Sequence, residues 1–201
     1  MISVEIIYNL ATLVALSVIS GFVDQRWSRY TVKGMIVQGV LFGFVAILGM
    51  MHPLVFGPGL IFDGRSVVVS LCGLFFGPLS VTIAALMAVA YRIAEGGVGM
   101  ITGVLVTAAS AIIGVLFYYH RMKTGVRVSS KYLLVIGVIV HIVMLALIFT
   151  LPFGLAISIL QDIGIPIIIS YPLATVLIGK ILSGQEENLR SFNKLKESEA
   201  R

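Results

Sequence analysis

The chain has 201 residues, 59% of them hydrophobic and only 11% charged, with a formal charge of +5 and a mean hydropathy of +1.08. Soluble domains carry about a quarter charged residues, so an ordinary water-facing globule is excluded. The basic residues sit in short loops between apolar runs, which is not a nucleic-acid signature, and the single cysteine, Cys72, excludes an internal disulfide framework and cannot alone hold zinc.

A bilayer core is roughly 30 Å thick and needs about 20 apolar residues per helical span. The first span is predicted over 2–23; it carries Glu5 near its start and lacks the basic segment and cleavage site of a secretory signal. DQRWSRYTVK follows as a basic loop, and 34–51 is the second span. HPLVFGPGLIFDGR, with two prolines and several glycines, cannot be one regular helix. The apolar stretch 66–91 is interrupted by Gly77-Pro78, because proline removes a donor and disfavours helix in the residue before it. Neither piece comfortably spans a bilayer alone. Spans at 100–119, 132–150 and 155–181 complete the set, with Pro166 and Pro172 expected to kink the last. The fold class expected is therefore an all-α membrane helix bundle of five full spans plus one broken hairpin, re-entrant or made of two short tilted spans.

Short cytoplasmic loops are enriched in Lys and Arg. Arg26, Arg29 and Lys33 mark the first loop as inside; Arg121, Lys123, Arg127 and Lys131 mark the loop after the 100–119 span as inside too. Lys180, Arg190, Lys194, Lys196 and Arg201 do the same for the polar tail. The stretch 66–91 must then begin and end on the outer side, with the N-terminus outside and the C-terminus cytoplasmic. Arg65 and Arg92 are the two basic residues left outside, at the two ends of the hairpin, and the turn brings them toward each other.

Two converging guanidinium groups suit a carboxylate or phosphate, because each offers a planar fork of donors. The alternative is a pair of interfacial salt bridges, Arg65 with Asp63 and Arg92 with Glu95. Gly103, Thr107, Ser110 and Gly114 share one helix face, which suits close helix packing and also suits the floor of a small polar cavity. Asp162 is a carboxylate at membrane depth, open to pairing with an arginine, to proton carriage, to signal relay or to a plain buried pair. His141 and Gln38 read as interhelical hydrogen-bond partners, as does Asn9, which also lies within reach of an outer pocket. Tyr8, Trp27, Tyr30, Tyr118 and Tyr119 fit interfacial belts. No Cys/His metal spacing, nucleophile with a base, or phosphate-cradling loop is present, so neither enzyme chemistry in this chain nor a metal or cofactor is expected.

The run NLATLV from Asn9, the loop GPGLIFDGRSV, GLFFGP at 73–78 and YRIAEGG at 91–97 resemble the LytS-type 5TM receptor domain (5TM-5TMR_LYT). The resemblance covers the chain from the first span to Ile181, and the closing KESEAR is similar to the lead-in to a PAS domain. It implies the membrane sensor of a bacterial histidine kinase or diguanylate cyclase, working as a homodimer and addressing a cytoplasmic response regulator through an output domain. Some relatives recognise pyruvate or related small carboxylates, and Arg65 and Arg92 match the arginines of the family motifs. Where some members carry cysteine or serine, this chain has Gly103 and Val106.

The resulting expectation is a sensor domain over 1–181 and a cytoplasmic signalling-helix linker over 182–201. Arg65, Arg92, Asp63, Thr107, Ser110 and Asn9 are the candidate ligand residues, with Asp162 and Pro166 as candidate signal relay. The competing reading is a small-solute transporter or its substrate-binding subunit, since broken half-helices beside a site recur there. A third is a structural scaffold whose arginines only anchor the outer interface.

Overall fold

The computed structural model describes residues 2–51, 54–57 and 60–199, and the side chains of these apart from 2–10, 54–57, 60–62, 193–197 and 199. Over those residues the chain folds into helices α1 (Ile2–Arg26), α2 (Val32–Met51), α3 (Arg65–Glu95), α4 (Met100–Thr124), α5 (Ser130–Leu147) and α6 (Phe153–Glu199). A short antiparallel hairpin, β1 (Leu54–Gly57) and β2 (Leu60–Phe62), joins α2 to α3, and a 3-10 turn (Ile148–Thr150) closes α5. Five segments of the described residues are long and apolar enough to cross a membrane: α2, α3, α4, α5 with its 3-10 turn, and Phe153–Phe192 of α6. The all-helical membrane bundle expected from composition is the observed architecture, and the non-helical loop adds the small hairpin.

The centre of the bundle is α3. Gly77 has φ 79° and ψ −171°, a region open in practice only to glycine, and Pro78 beside it can donate no helical hydrogen bond. The element therefore folds back into two arms, 65–76 and 78–95. In the first arm, Gly73 lies against Gly114 of α4. In the second, the Ser80 hydroxyl donates to the Met35 carbonyl of α2 at 2.9 Å, and Ala84 and Met87 lie against Gly43. The arms run antiparallel, side by side, with Arg65 and Arg92 at their common open end.

Every residue from Arg65 to Phe76 is buried. An apolar run with no polar face is one that neighbouring helices rather than water surround. Arm one is about 18 Å of helix, too short to span lipid alone, but it is enclosed by the other helices. Its tip nevertheless reaches the far end of the bundle. The Phe75 ring lies 5.7 Å from the Arg121 guanidinium carbon, and the Phe76 ring 4.8 Å from that of Arg29.

α6 is 47 residues long, about 70 Å, and stays helical through Pro166 and Pro172. The helix runs without a break through 181 and 182. Leu182 belongs to the main core, and Ser183 and Glu186 are also buried. A second core cluster, Val106, Met144, Ile148, Leu151, Ala156, Ile159, Ile163 and Ile167, fills the space between α4, α5 and α6 near the open end of the hairpin.

Candidate functional site

Arg65 starts arm one and Arg92 ends arm two; their side chains meet over Gly103, at the start of α4. A Cβ at Gly103 would stand 2.7 Å from Arg92 Nε and 3.1 Å from an Arg65 terminal nitrogen, so the missing side chain is the space the two guanidinium groups occupy. Both arginines are buried, Arg92 to 1% exposure. They line a cleft of about 30 Å³ with Asp63, Ser66, Gly99, Thr102 and Gly103. Its other wall is apolar: Val106, Met144, Ile148 and Leu151, the top of the second core cluster. One water needs roughly 10–15 Å³ by such a measure, so the cleft suits a molecule of a few heavy atoms.

The polar wiring holds each guanidinium from one side. Asp63 Oδ1 accepts the Arg65 backbone N–H at 2.8 Å, and its Oδ2 lies 3.6 Å from Arg65 Nε. Arg92 donates to the Gly96 carbonyl at 2.7 Å and to Glu95 at 3.1 Å. Both salt bridges foreseen as the alternative to a site are present, within a cleft that also brings the arginines together. Burial pushes the Asp63 carboxyl above its usual range, with the Arg65 charge, the Arg65 N–H and the Arg92 charge pulling the other way.

Beneath the cleft, Ser66 bonds to His141 Nε2 of α5 at 3.1 Å. His141 Nδ1 stands 2.6 Å from the Gly137 carbonyl, which can only accept, so the neutral ring carries its proton on Nδ1 and Ser66 donates to Nε2. The ring stacks on Tyr171 of α6, with centroids 5.1 Å apart and planes at 9°. A residue beside Arg65 is thus joined to α6 between its two prolines.

The family model 5TM-5TMR_LYT, described as the 5TMR of 5TMR-LYT, matches residues 27–185. The chain belongs to the 5TM-5TMR_LYT family. That family is a membrane sensory domain of signalling proteins. No curated protein and no solved structure matches the chain.

Within this 5TM-5TMR_LYT domain the candidate residues separate into three groups. Arg65, Arg92 and Asp63 come together in the cleft. Thr107 and Ser110 are buried but lie off its lining; their hydroxyls donate to the Gly103 and Val106 carbonyls of their own helix at 2.9 and 2.8 Å. Their face serves the close α3–α4 crossing, and Thr102 and Gly103, one turn nearer the end, line the cleft instead. The Asn9 side chain lies outside the described residues. Asp162 is exposed on the outside of the bundle, off the arginine cleft, and Pro166 is exposed one turn further on. The arginine pairing and the buried pair weighed for Asp162 are therefore not what the fold makes of it. Among the described residues no group of three His, Cys, Asp or Glu is placed to hold a metal.

The sequence reading passed over a second polar centre, at the opposite end of the 5TM-5TMR_LYT domain. Glu186 of α6, 5% exposed, accepts from Arg121 and from Arg190 (2.6 Å) and lies 3.5 Å from Arg29. Arg29 also pairs with Asp24, which accepts from Gln38 at 3.1 Å. The signal available in sequence was a set of acids, Asp24 and Glu186 with Glu187 beside it, within a layer otherwise rich in arginine and lysine.

Proposed function

We propose that this domain is the sensory input module of a histidine kinase or diguanylate cyclase, and that it binds a small carboxylate, pyruvate or a close relative, between Arg65 and Arg92. The observation that carries the reading is the convergence of two buried guanidinium groups on the Cβ position of Gly103. Like charges so close are unfavourable until an anion lies between them, and each arginine is an N–H fork suited to one. The apolar wall of Val106, Met144 and Ile148 suits a short carbon chain behind a carboxylate.

In this reading the domain sits in a bacterial or archaeal membrane with its N-terminus outside, and the ligand enters from the outer face. It works as a homodimer in the bilayer and addresses a cytoplasmic response regulator through an output domain beyond the tail; nucleic acid and cofactors play no part. Ser66, His141 and Tyr171 carry the relay to α6, and the stretch of α6 from Pro166 to Pro172 is the element that responds. The transporter alternative is weakened by the hairpin's geometry: the helix break at Gly77 lies at the opposite end from the arginines, whereas broken helices of transporters aim their ends at the substrate.

The test is thermal stabilisation of the purified domain by pyruvate and a panel of small carboxylates, beside Arg65→Gln and Arg92→Gln. Saturable stabilisation lost in both variants supports the site. A folded domain that no anion stabilises would sink it.

A further inference from the structure

Asp162 is an exposed carboxylate on a segment that crosses the membrane. It lies nine residues past the start of α6, about 13 Å along the helix. The residues on either side of it in the helical period, Ile159, Ile163 and Ile167, turn into the second core cluster. Asp162 therefore points outward, next to Gln161, with exposed Ser158, Pro166 and Ser170 above and below. Between the ends of the bundle the other helices present apolar surface, such as Phe44, Leu86, Ile112 and Ile139. Among the described residues, Gln161 and Asp162 are the one amide and the one acid exposed between the two ends of the bundle. Intramembrane carboxylates face protein or water, not lipid.

Gly154 is the second observation. Gly39, Gly43, Gly73, Gly114 and Gly137 each lie against a neighbouring helix, where an added Cβ would meet that helix within 3.1 Å. A Cβ at Gly154, like one at Gly164 or Gly184 of the same helix, would meet nothing within 4 Å, and Gly154 with exposed Ser158 forms the small-residue spacing that lets membrane helices approach. Among the described residues no helix covers this surface.

We infer that a second copy of this chain covers the Gly154–Ser158–Gln161–Asp162 face of α6, in a parallel two-fold pairing of α6 with α6. The face is self-complementary, as a two-fold contact requires: Gln161 and Ser158 supply N–H and O–H donors, and Asp162 supplies the acceptor. The pairing sends both tails out of the bundle side by side, so a shift of α6 alters how the two tails meet. The inference deepens the homodimer part of the proposed function and is independent of the ligand.

The 201-residue chain is reconstituted in lipid vesicles, and subunits are counted by single-molecule photobleaching. In a Cys72→Ala background, Ser158→Cys is compared with Phe44→Cys and Ile112→Cys for oxidative cross-linking, all three being at exposed positions. Two-step bleaching and cross-linking of Ser158→Cys at least about tenfold faster than the controls are expected. By energy transfer between labelled copies, without any introduced cysteine, Asp162→Leu weakens dimerisation about tenfold and Asp162→Asn does so less. Monomers alone in the bilayer would overturn both the surface and the homodimer. Dimers that cross-link through Phe44→Cys or Ile112→Cys, or that Asp162→Leu leaves unchanged or strengthens, would overturn the α6 surface and leave the homodimer standing.

Discussion

Arg92→Gln is expected to weaken anion binding roughly 10- to 100-fold and leave the empty domain about as stable as before. Both guanidinium groups lie within 3.1 Å of one point, the Cβ position of Gly103, so they are within about 6 Å of each other. At an effective dielectric of about 20, two unit charges at that separation repel by roughly 3 kcal/mol. Against that relief stand the Arg92–Glu95 pair and the bond to the Gly96 carbonyl. The Glu95 carboxylate is 30% exposed, so the pair contributes about 1 kcal/mol at most. A charged donor to a carbonyl contributes about 1.5–3 kcal/mol, part of which a glutamine amide recovers. The opposing effects leave a net change within about 1 kcal/mol. Losing one arginine fork from a bound carboxylate costs about 1.5–3 kcal/mol, or roughly 10- to 100-fold in Kd. Thermal unfolding with and without pyruvate reads both quantities. Ligand at about 100 times Kd stabilises wild type by about 2.7 kcal/mol, several degrees for a chain of this length, and the variant at the same concentration shows about half that shift or less. An empty variant destabilised by many degrees would make Arg92 a structural anchor and refute the reasoning. So would an undiminished ligand shift.

Anion affinity is expected to rise as pH falls from 7 toward about 4, because the Asp63 carboxyl, raised by burial, takes up a proton earlier than a free aspartate and removes a negative charge from the cleft. Asp63→Asn binds more tightly at pH 7 and flattens that dependence, as titration by intrinsic fluorescence or calorimetry checks. Gly77→Ala is expected to cost about 1–3 kcal/mol through its φ of 79° alone; because the strain is in the backbone, relieving the nearby Tyr118 ring with Tyr118→Ala does not restore the midpoint in a denaturation series. Glu186→Ala removes the shared acceptor of Arg29, Arg121 and Arg190 and is expected to destabilise by about 3 kcal/mol, with proteolysis of the tail accelerating before global unfolding. Tail cleavage unchanged from wild type would refute the view that this cluster fastens α6 to the bundle.

The parts of the fold that were legible rest on one-dimensional quantities. Run length set the spans, Gly77-Pro78 set the reversal, and the reversal alone implied that Arg65 and Arg92 meet, as they do over Gly103. What was not legible depends on rotation about helix axes. Thr107 and Ser110 share a helix face with Gly103, but the cleft reaches along α4 only as far as Val106, and lower down the same face is taken up by arm one. Asp162 looked like a buried partner because membrane depth was readable and azimuth was not; no polar periodicity told which side of α6 faces in. His141 was read as a plain hydrogen-bond partner, and its bond to Ser66 needed a contact 75 residues distant in sequence. The tail cluster needed even more, since Asp24, Arg29, Arg121 and Glu186 come from four separate segments.

The hairpin links the two polar centres in a way that neither shows alone. Its open end carries the arginines of the cleft, and its closed end lies under Arg29 and Arg121, two of the three residues that hold Glu186 of α6. Arm one is wholly buried, and close-packed interiors transmit displacement rather than absorb it. In the proposed reading, an anion that draws Arg65 and Arg92 together would act on α6 at two heights: at Tyr171 through Ser66 and His141, and at Glu186 through the hairpin tip. Binding shifts such an equilibrium only by its differential affinity for the two arrangements, and coupling between sites is typically about 1–3 kcal/mol. That is comparable to the repulsion between the two guanidinium groups that a bound anion would relieve. The charge pair is thus of the size that the proposed transition would need, and the hydrogen bonds to the ligand would be left to set which anion drives it.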